Sequence, residues 1–385
     1  MHDPWALNLR RLRAFVAAVR HGGAAAAARA VHVSQPAVTQ GIAALEAAIG
    51  ADLFVRRPDG LTPTEAALVF LPRVEEALAA IRSPRITGTQ ARAFLALARA
   101  GAYAAAGTAA GVTAPSLHRA VADLEFAVGG KLVNRRGRGH ELTARGRQLT
   151  RALSLAAVAL QAGLEEVAAL SGPAAGRIAI GAMPLCRARL LPDAVVAFQQ
   201  QWPDARIAIA EGAHRELIEP LRDGDLDLLI GALRTPSPGP DIEQAPLFED
   251  HPCVIARANH PLAARRRRPT LSDLRRYPWI VPAPGAPLRE QWRRLFQDGG
   301  LDLPDAPIEC GSVITIRQIL LKSECLTILS REQVRLELDA GLLGVVADTP
   351  PHLKRTIGVT TRTGWRPTPM QADFLRLLHD LAQTS

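Results

Sequence analysis

The sequence lacks what would carry it into a membrane, and most of what would make it an enzyme. The opening Met1-His2-Asp3-Pro4-Trp5 has no cationic stretch leading into an apolar core, and no run of 18 apolar residues occurs. Neither a secretory leader nor a spanning helix is expected, so the expected location is the cytoplasm with no membrane partner. Cysteine is scarce: Cys186, Cys253, Cys310 and Cys325 are scattered through 385 residues, without paired spacing or a nearby histidine cluster. That excludes a disulfide framework and reads as buried thiols in a reducing compartment. His251 and Cys253 are neighbours, but two ligands do not make a metal site. Gly-x-Ser-x-Gly, a phosphate-cradling glycine run and metal-ligand spacing are all missing. Glu211 and His214 lie close along the chain, yet one acid and one histidine after a strand read as pocket or surface groups. No catalytic residue, metal or cofactor is expected, and an α/β enzyme is kept only as an alternative.

What is present begins with charge. The formal net charge is +9. Residues 1–150 hold 19 Lys and Arg against 10 Asp and Glu, whereas the other 235 residues hold 27 of each. The whole excess sits in the N-terminal part, where a nucleic-acid-binding surface needs it. A merely solvated basic surface is the alternative. The run Arg265-Arg266-Arg267-Arg268 lies elsewhere and reads as a solvated loop.

The N-terminal half is one unit written twice. At an offset of 79, Phe15 falls on Phe94, Gly22 on Gly101, Pro36 on Pro115, Leu45-Glu46 on Leu124-Glu125 and Arg56-Arg57 on Arg135-Arg136. From Phe15 to Arg57, 18 of the 43 positions are identical without a gap. A two-residue insertion then aligns Leu61-Thr62 with Leu142-Thr143. In each unit the spacing predicts three helices and a hairpin. Leu12, Phe15, Val16 and Val19 share one helical face, stopped by Gly22-Gly23, and a short alanine-rich helix follows. Ser34 is placed to cap a helix whose Val38, Ile42, Leu45 and Ile49 form a stripe, leaving Gln35, Ala37, Thr39 and Gln40 on the other side. Two helices across a tight turn, with polar residues at the outward start of the second, make a helix-turn-helix. Leu53–Leu61 then reads as a wing with Arg56 and Arg57 at its base.

The residues Phe15 to Thr62, with SQPAVTQ at 34–40, LE at 45–46, G at 50, LF at 53–54 and LT at 61–62, resemble the N-terminal domain of LysR-type transcriptional regulators. The resemblance covers nearly the whole chain, with one departure: such regulators usually carry one winged helix-turn-helix, and here there are two. It implies a sequence-specific regulator of transcription with double-stranded promoter DNA and RNA polymerase as partners. The candidate DNA-binding residues are Ser34, Gln35, Pro36, Thr39, Gln40, Arg56 and Arg57, and in the second copy Thr113, Ser116, His118, Arg119, Arg135, Arg136 and Arg138. Gln suits adenine in the major groove and Arg suits guanine, so the two copies would not read DNA alike. Either copy could instead be degenerate, and both are expected to touch DNA.

Both copies lead into a longer helix. Thr62-Pro63-Thr64-Glu65 reads as a capping box with proline at the first helical position, Pro72 as a kink, and Ser83-Pro84 as a stop. A helix from about Ala144 to Leu170 carries the stripe Leu149, Leu153, Leu160, Leu164 and Val167, which must be buried against something. The resemblance implies a homodimer seam, within a homodimer or homotetramer. The alternative is burial against the same chain.

Three domains are expected: 1–82, 83–172 and 173–385. From Gly176 strands alternate with helices, as in a largely parallel sheet covered on both faces. This half resembles the two-lobed α/β effector-binding domain of the LysR family, which shares its fold with periplasmic binding proteins. Lobe I is expected over about 176–262 and 350–385, lobe II over about 270–349. The implied ligand is a small molecule, a sugar or organic acid, held in the cleft between the lobes. The candidate effector residues are Met183, Pro184 and Leu185, where proline suits the first turn of a helix, with Glu211, Gly212, Pro282, Pro284, Ser312 and Val313. Two helix starts would favour an anion, whereas Glu211 leaves room for a polyol. A small-molecule binding protein of the same fold without DNA binding is the alternative function.

Overall fold

The computed structural model describes residues 3–57, 60–137, 139–172, 176–263 and 267–383. It divides into a first compact unit, Met1–Gly176 with Asp223–Asp225, and a second, Arg177–Arg222 with Leu226–Ser385.

The first unit holds α1 (Leu9–His21), α2 (Ala24–Ala30), α3 (Gln35–Ile49), β1 (Phe54–Arg57), β2 (Gly60–Pro63) and α4 (Glu65–Ile81). It continues with α5 (Gly88–Ala100), α6 (Tyr103–Ala110), α7 (Ala114–Val128), β3 (Val133–Arg136), β4 (Gly139–Leu142) and α8 (Ala144–Ala169). Each element of the second set starts 79 residues after its counterpart, so the two-residue insertion is not there. The reason is visible at the wing. Thr64 and Thr143 cap α4 and α8, and their hydroxyls donate back to Asp52 O at 2.7 Å and Lys131 O at 2.9 Å. The match of Leu61-Thr62 to Leu142-Thr143 is a coincidence of residue type. It also follows that Pro63 ends β2 rather than opening α4, and that α4 continues past Pro72 to Ile81.

The cores follow the helical stripes. Leu12, Phe15, Val38, Ile42, Leu45 and Leu53 are buried, and Phe15 packs against Phe70 at 5.7 Å between ring centres. Phe94, Leu97, Leu117, Val121, Leu124 and Leu132 fill the second copy. The two cores are continuous, because α4 packs along α8. Leu153, Leu160, Leu164 and Val167 are buried in this joint core with Leu149 half-buried beside them, so the stripe assigned to a homodimer seam is used up inside one chain. Duplication supplies the twin helix. Gly163 makes the close approach possible, since a Cβ there would meet Phe70 Cδ2 at 2.7 Å and Arg73 Cβ at 2.9 Å. Arg73, 5% exposed, donates from Nε to both carboxylate oxygens of Glu166 at 3.2 and 3.1 Å. By length and composition α8 could cross a membrane, with mean hydropathy 1.4 over its best 18 residues. A search for unbroken apolar runs misses it because Ser154, Gln161 and the pair Glu165-Glu166 interrupt the sequence after Arg151.

The second unit contains β5 (Arg177–Ala182), α9 (Leu190–Gln201), β6 (Arg206–Glu211), α10 (His214–Asp223), β7 (Leu228–Ala232), β8 (Ile242–Asp250), β9 (Cys253–Arg257) and α11 (Leu271–Leu274). After these come β10 (Trp279–Val281), α12 (Pro287–Gln297), β11 (Ile308–Glu309), α13 (Val313–Lys322), β12 (Leu326–Leu329), α14 (Arg335–Asp339), β13 (Leu343–Asp348), β14 (Arg355–Arg362) and α15 (Pro369–Gln383). Two five-stranded sheets form, in the orders β6-β5-β7-β14-β8 and β11-β10-β12-β9-β13. β5 runs parallel to β6 and β7, and β10 to β11 and β12. The remaining pairs are antiparallel, so the sheets are mixed rather than largely parallel. β14 returns to the first sheet. Cys253–Arg257 does not belong to lobe I as expected from its position: β9 pairs with β12 and β13 in lobe II. The chain therefore crosses between lobes after β8.

Candidate functional site

In each head a carboxylate ties the second helix of the helix-turn-helix to the wing. Glu46 Oε1 accepts from the amides of Leu53 and Phe54 at 2.9 and 3.1 Å, and Glu125 Oε1 accepts from Leu132 and Val133 at 2.9 and 3.4 Å. Glu125 is buried and also pairs with Lys131 at 2.8 Å. Burial pushes its pKa up, but the hydrogen bonds from Lys131, Leu132 and Val133 and the lysine charge outweigh this and hold it below the ordinary glutamate range. Because the folded carboxyl ionises below its unfolded value, this link stabilises the head above the ordinary glutamate pKa. The contribution is lost as pH falls through the lower, folded value. In an NMR titration the Leu132 amide should move with a midpoint below the ordinary glutamate value, and a midpoint at or above it would contradict the link.

The candidate reading residues sit at the starts of α3 and α7. Ser34 caps α3, accepting from Ala37 at 3.4 Å, and Gln35, Pro36, Thr39 and Gln40 are exposed. Thr113 caps α7, accepting from the Ser116 amide at 3.4 Å and donating to its hydroxyl at 2.9 Å. Ser116, His118 and Arg119 are exposed, and the His118 ring lies 4.8 Å from Tyr103, itself edge-on to His140 at 4.6 Å. The second head thus stacks its candidate histidine, His118, on Tyr103, which also meets His140, while the corresponding positions of the first head, Thr39, Ala24 and Leu61, contain no ring. Arg135 and Arg136 are exposed on β3, with Arg136 paired to Glu141 at 2.9 Å. Arg56 and Arg57 lie on β1, opposite Leu61 and Gly60, and Arg138 is outside the described residues. Arg265 and Arg266 are also outside them, whereas Arg267 pairs with Asp273 at 3.1 Å.

The effector candidates separate into two groups. Met183 and Leu185 are buried in the core of lobe I, Met183 over Gly231, so their side chains are packing groups. No helix opens at Pro184: residues 184–189 form turns, and α9 starts only at Leu190. The helix that opens at this sheet edge is α10, directly after Glu211-Gly212. Glu211 is exposed and paired with the Arg187 guanidinium, which removes its objection to an anion. In lobe II, Ser312 caps α13, accepting from Thr315 at 3.4 Å, and is exposed, with Val313 half-buried behind it. Pro282 follows β10 and its carbonyl accepts from Arg289 at 2.8 Å, while Pro284 is exposed in the next loop.

Sequence reasoning missed Arg234. It follows β7, at the same sheet edge as Glu211, and its Nη1 lies 3.5 Å from Gly285 O in the loop after β10. The strand ends of the two lobes therefore meet here. Burial, then the charge of Arg355, lowers the pKa of Arg234. Its backbone amide donates to Gln244 Oε1 and its guanidinium to Gly285 O, and no carboxylate pairs with it among the described residues. Burial, then Arg234 and Arg222, also drives His214 down to about 4, so its ring is neutral at pH 7, with Nε2 buried and unpartnered. One arginine after an apolar strand is too ordinary a signal to be found in the sequence.

Comparison with known proteins follows the same division. The family described as bacterial regulatory helix-turn-helix protein, lysR family, matches twice, over residues 9–68 and 89–147, and the LysR substrate binding domain matches 171–383. The HTH-type transcriptional regulator GalR of Pseudomonas putida is 30% identical over 370 residues, 93% of each chain. The HTH-type transcriptional regulator CbbR of Xanthobacter flavus is 29% identical over 73% of this chain and 84% of its own. In fold, a full-length OxyR variant from Pseudomonas aeruginosa superposes with a TM-score of 0.55 at 22% identity, over 77% of this chain and 97% of that one. CbnR, a LysR family transcriptional regulator, gives 0.54 at 20% identity, over 76% and 98%.

Proposed function

The chain belongs to the LysR family of DNA-binding transcriptional regulators with a C-terminal effector-binding domain, and from that premise we propose that both heads contact promoter DNA under the control of a small organic anion. RNA polymerase is the further partner on the promoter in this reading. Retention of exposed, differently equipped reading residues in both heads supports the first part. The anion rests on one observation: Arg234 is a half-buried cation with no carboxylate paired to it among the described residues, 3.5 Å from the loop of the opposite lobe. A partly desolvated charge without a counter-ion is a favourable place for a carboxylate, which would pair with it through charge-assisted hydrogen bonds. The free N–H groups at the start of α13 add to the same preference. A neutral polyol is disfavoured because Glu211, the acceptor it would use, is already taken by Arg187.

Calorimetry against a panel of small mono- and dicarboxylates tests this. Arg234→Ala should weaken the best ligand by about tenfold to a hundredfold, the value of a hydrogen bond to a charged group. Ser312→Trp should block it. Wild-type affinity in both variants would place the ligand elsewhere. Retardation of promoter DNA by the full chain tests the first part separately.

A further inference from the structure

The two heads are not strung on a linker. Their cores are continuous through α4 and α8, and the intervening segment is strapped down. Arg13 of α1 donates to Ser83 O at 2.9 Å, and Arg92 of α5 pairs with Asp3 at 2.5 Å. Leu7 and Ile86, equivalent at the offset of 79, are both buried. One folded chain thus presents two reading helices in a set relation.

Those helices are chemically unlike. The exposed start of α3 offers Gln35, Thr39 and Gln40, all uncharged, and that of α7 offers Ser116, His118 and Arg119. Base edges in the major groove are distinguished by their donor and acceptor pattern, so a glutamine and an arginine at equivalent places select different bases. Two identical subunits facing each other on DNA read an inverted repeat because their helices are the same. Here the twin is inside the chain and has diverged.

We infer that one chain reads a pair of unlike half-sites in fixed order, so that its DNA target has a direction and is not a palindrome. This rests on the reading that both heads contact DNA.

The test is selection of binding sequences from random duplex DNA by the full chain. The expected result is two different elements at constant spacing. Gln40→Ala should relax base preference in one of them and Arg119→Ala in the other, each by about fivefold to a hundredfold at the affected position. Reversing one element should cost about tenfold or more, since a single wrong base already costs about that much. A chain carrying Gln35→Ala and Gln40→Ala, mixed with a chain carrying Arg119→Ala, should bind no better than either alone, since both heads must come from one molecule. Two identical inverted elements, a single element, or restored binding in the mixture would overturn the inference and leave DNA binding standing. Failure to enrich any sequence would instead remove the DNA reading itself.

Discussion

Leu160→Asp should loosen the first unit by about 4 kcal/mol or more, at every protein concentration. Leu160 is fully buried where α4 meets α8. The substitution removes a packed side chain, costing about 2–5 kcal/mol in comparable core sites, and leaves a carboxylate with no water. Hydrogen exchange is the measurement. Amides of α4 and α8 should exchange about a thousandfold faster, the equivalent of about 4 kcal/mol. A seam between two copies would behave differently, because protection lost at low concentration would return at high concentration. Full protection in the variant, or its rescue by concentration, would contradict burial within one chain.

Raising salt from about 50 to 200 mM should weaken DNA binding by about a thousandfold. The nine surplus positive charges of the protein lie in residues 1–150, and each phosphate neutralised releases a condensed counterion. About six to ten phosphate contacts give a loss of about a thousandfold to a hundred-thousandfold over that range. Arg135, exposed on β3, is one such contact in this reading, so Arg135→Ala in the full chain should reduce the slope of log affinity against log salt by about one. A salt-independent affinity would mean that the basic half does not meet the DNA backbone.

Much of this architecture is legible in the residues because it rests on local chemistry. The caps at Ser34 and Thr113, the left-handed glycines Gly50 and Gly129 that end α3 and α7, and the offset of 79 are each a property of a few neighbouring positions. Periodicity shows that Leu153, Leu160 and Leu164 have to be covered, but it carries no record of what covers them. A stripe looks the same whether its partner is another molecule or another part of the chain. β8 escapes such a reading because its exposure does not alternate and Pro246 interrupts it at the point where the register with β14 shifts. Position along the chain misplaces β9, since only strand pairing decides which sheet receives it. At the candidate ligand site, proline at 184 suggests a helix start that the turn at 184–189 does not make. Arg234 becomes visible only through its distance to Gly285.

The joining of α4 to α8 also changes how the regulator responds to scarcity. A reader assembled from two separate molecules has a dissociation constant, and below it the paired form disappears by mass action. Here the second head arrives with the first, and no dilution short of unfolding can part them. If both heads read DNA, as proposed, the number of reading pairs is then proportional to the number of chains made, not to its square, down to a single copy.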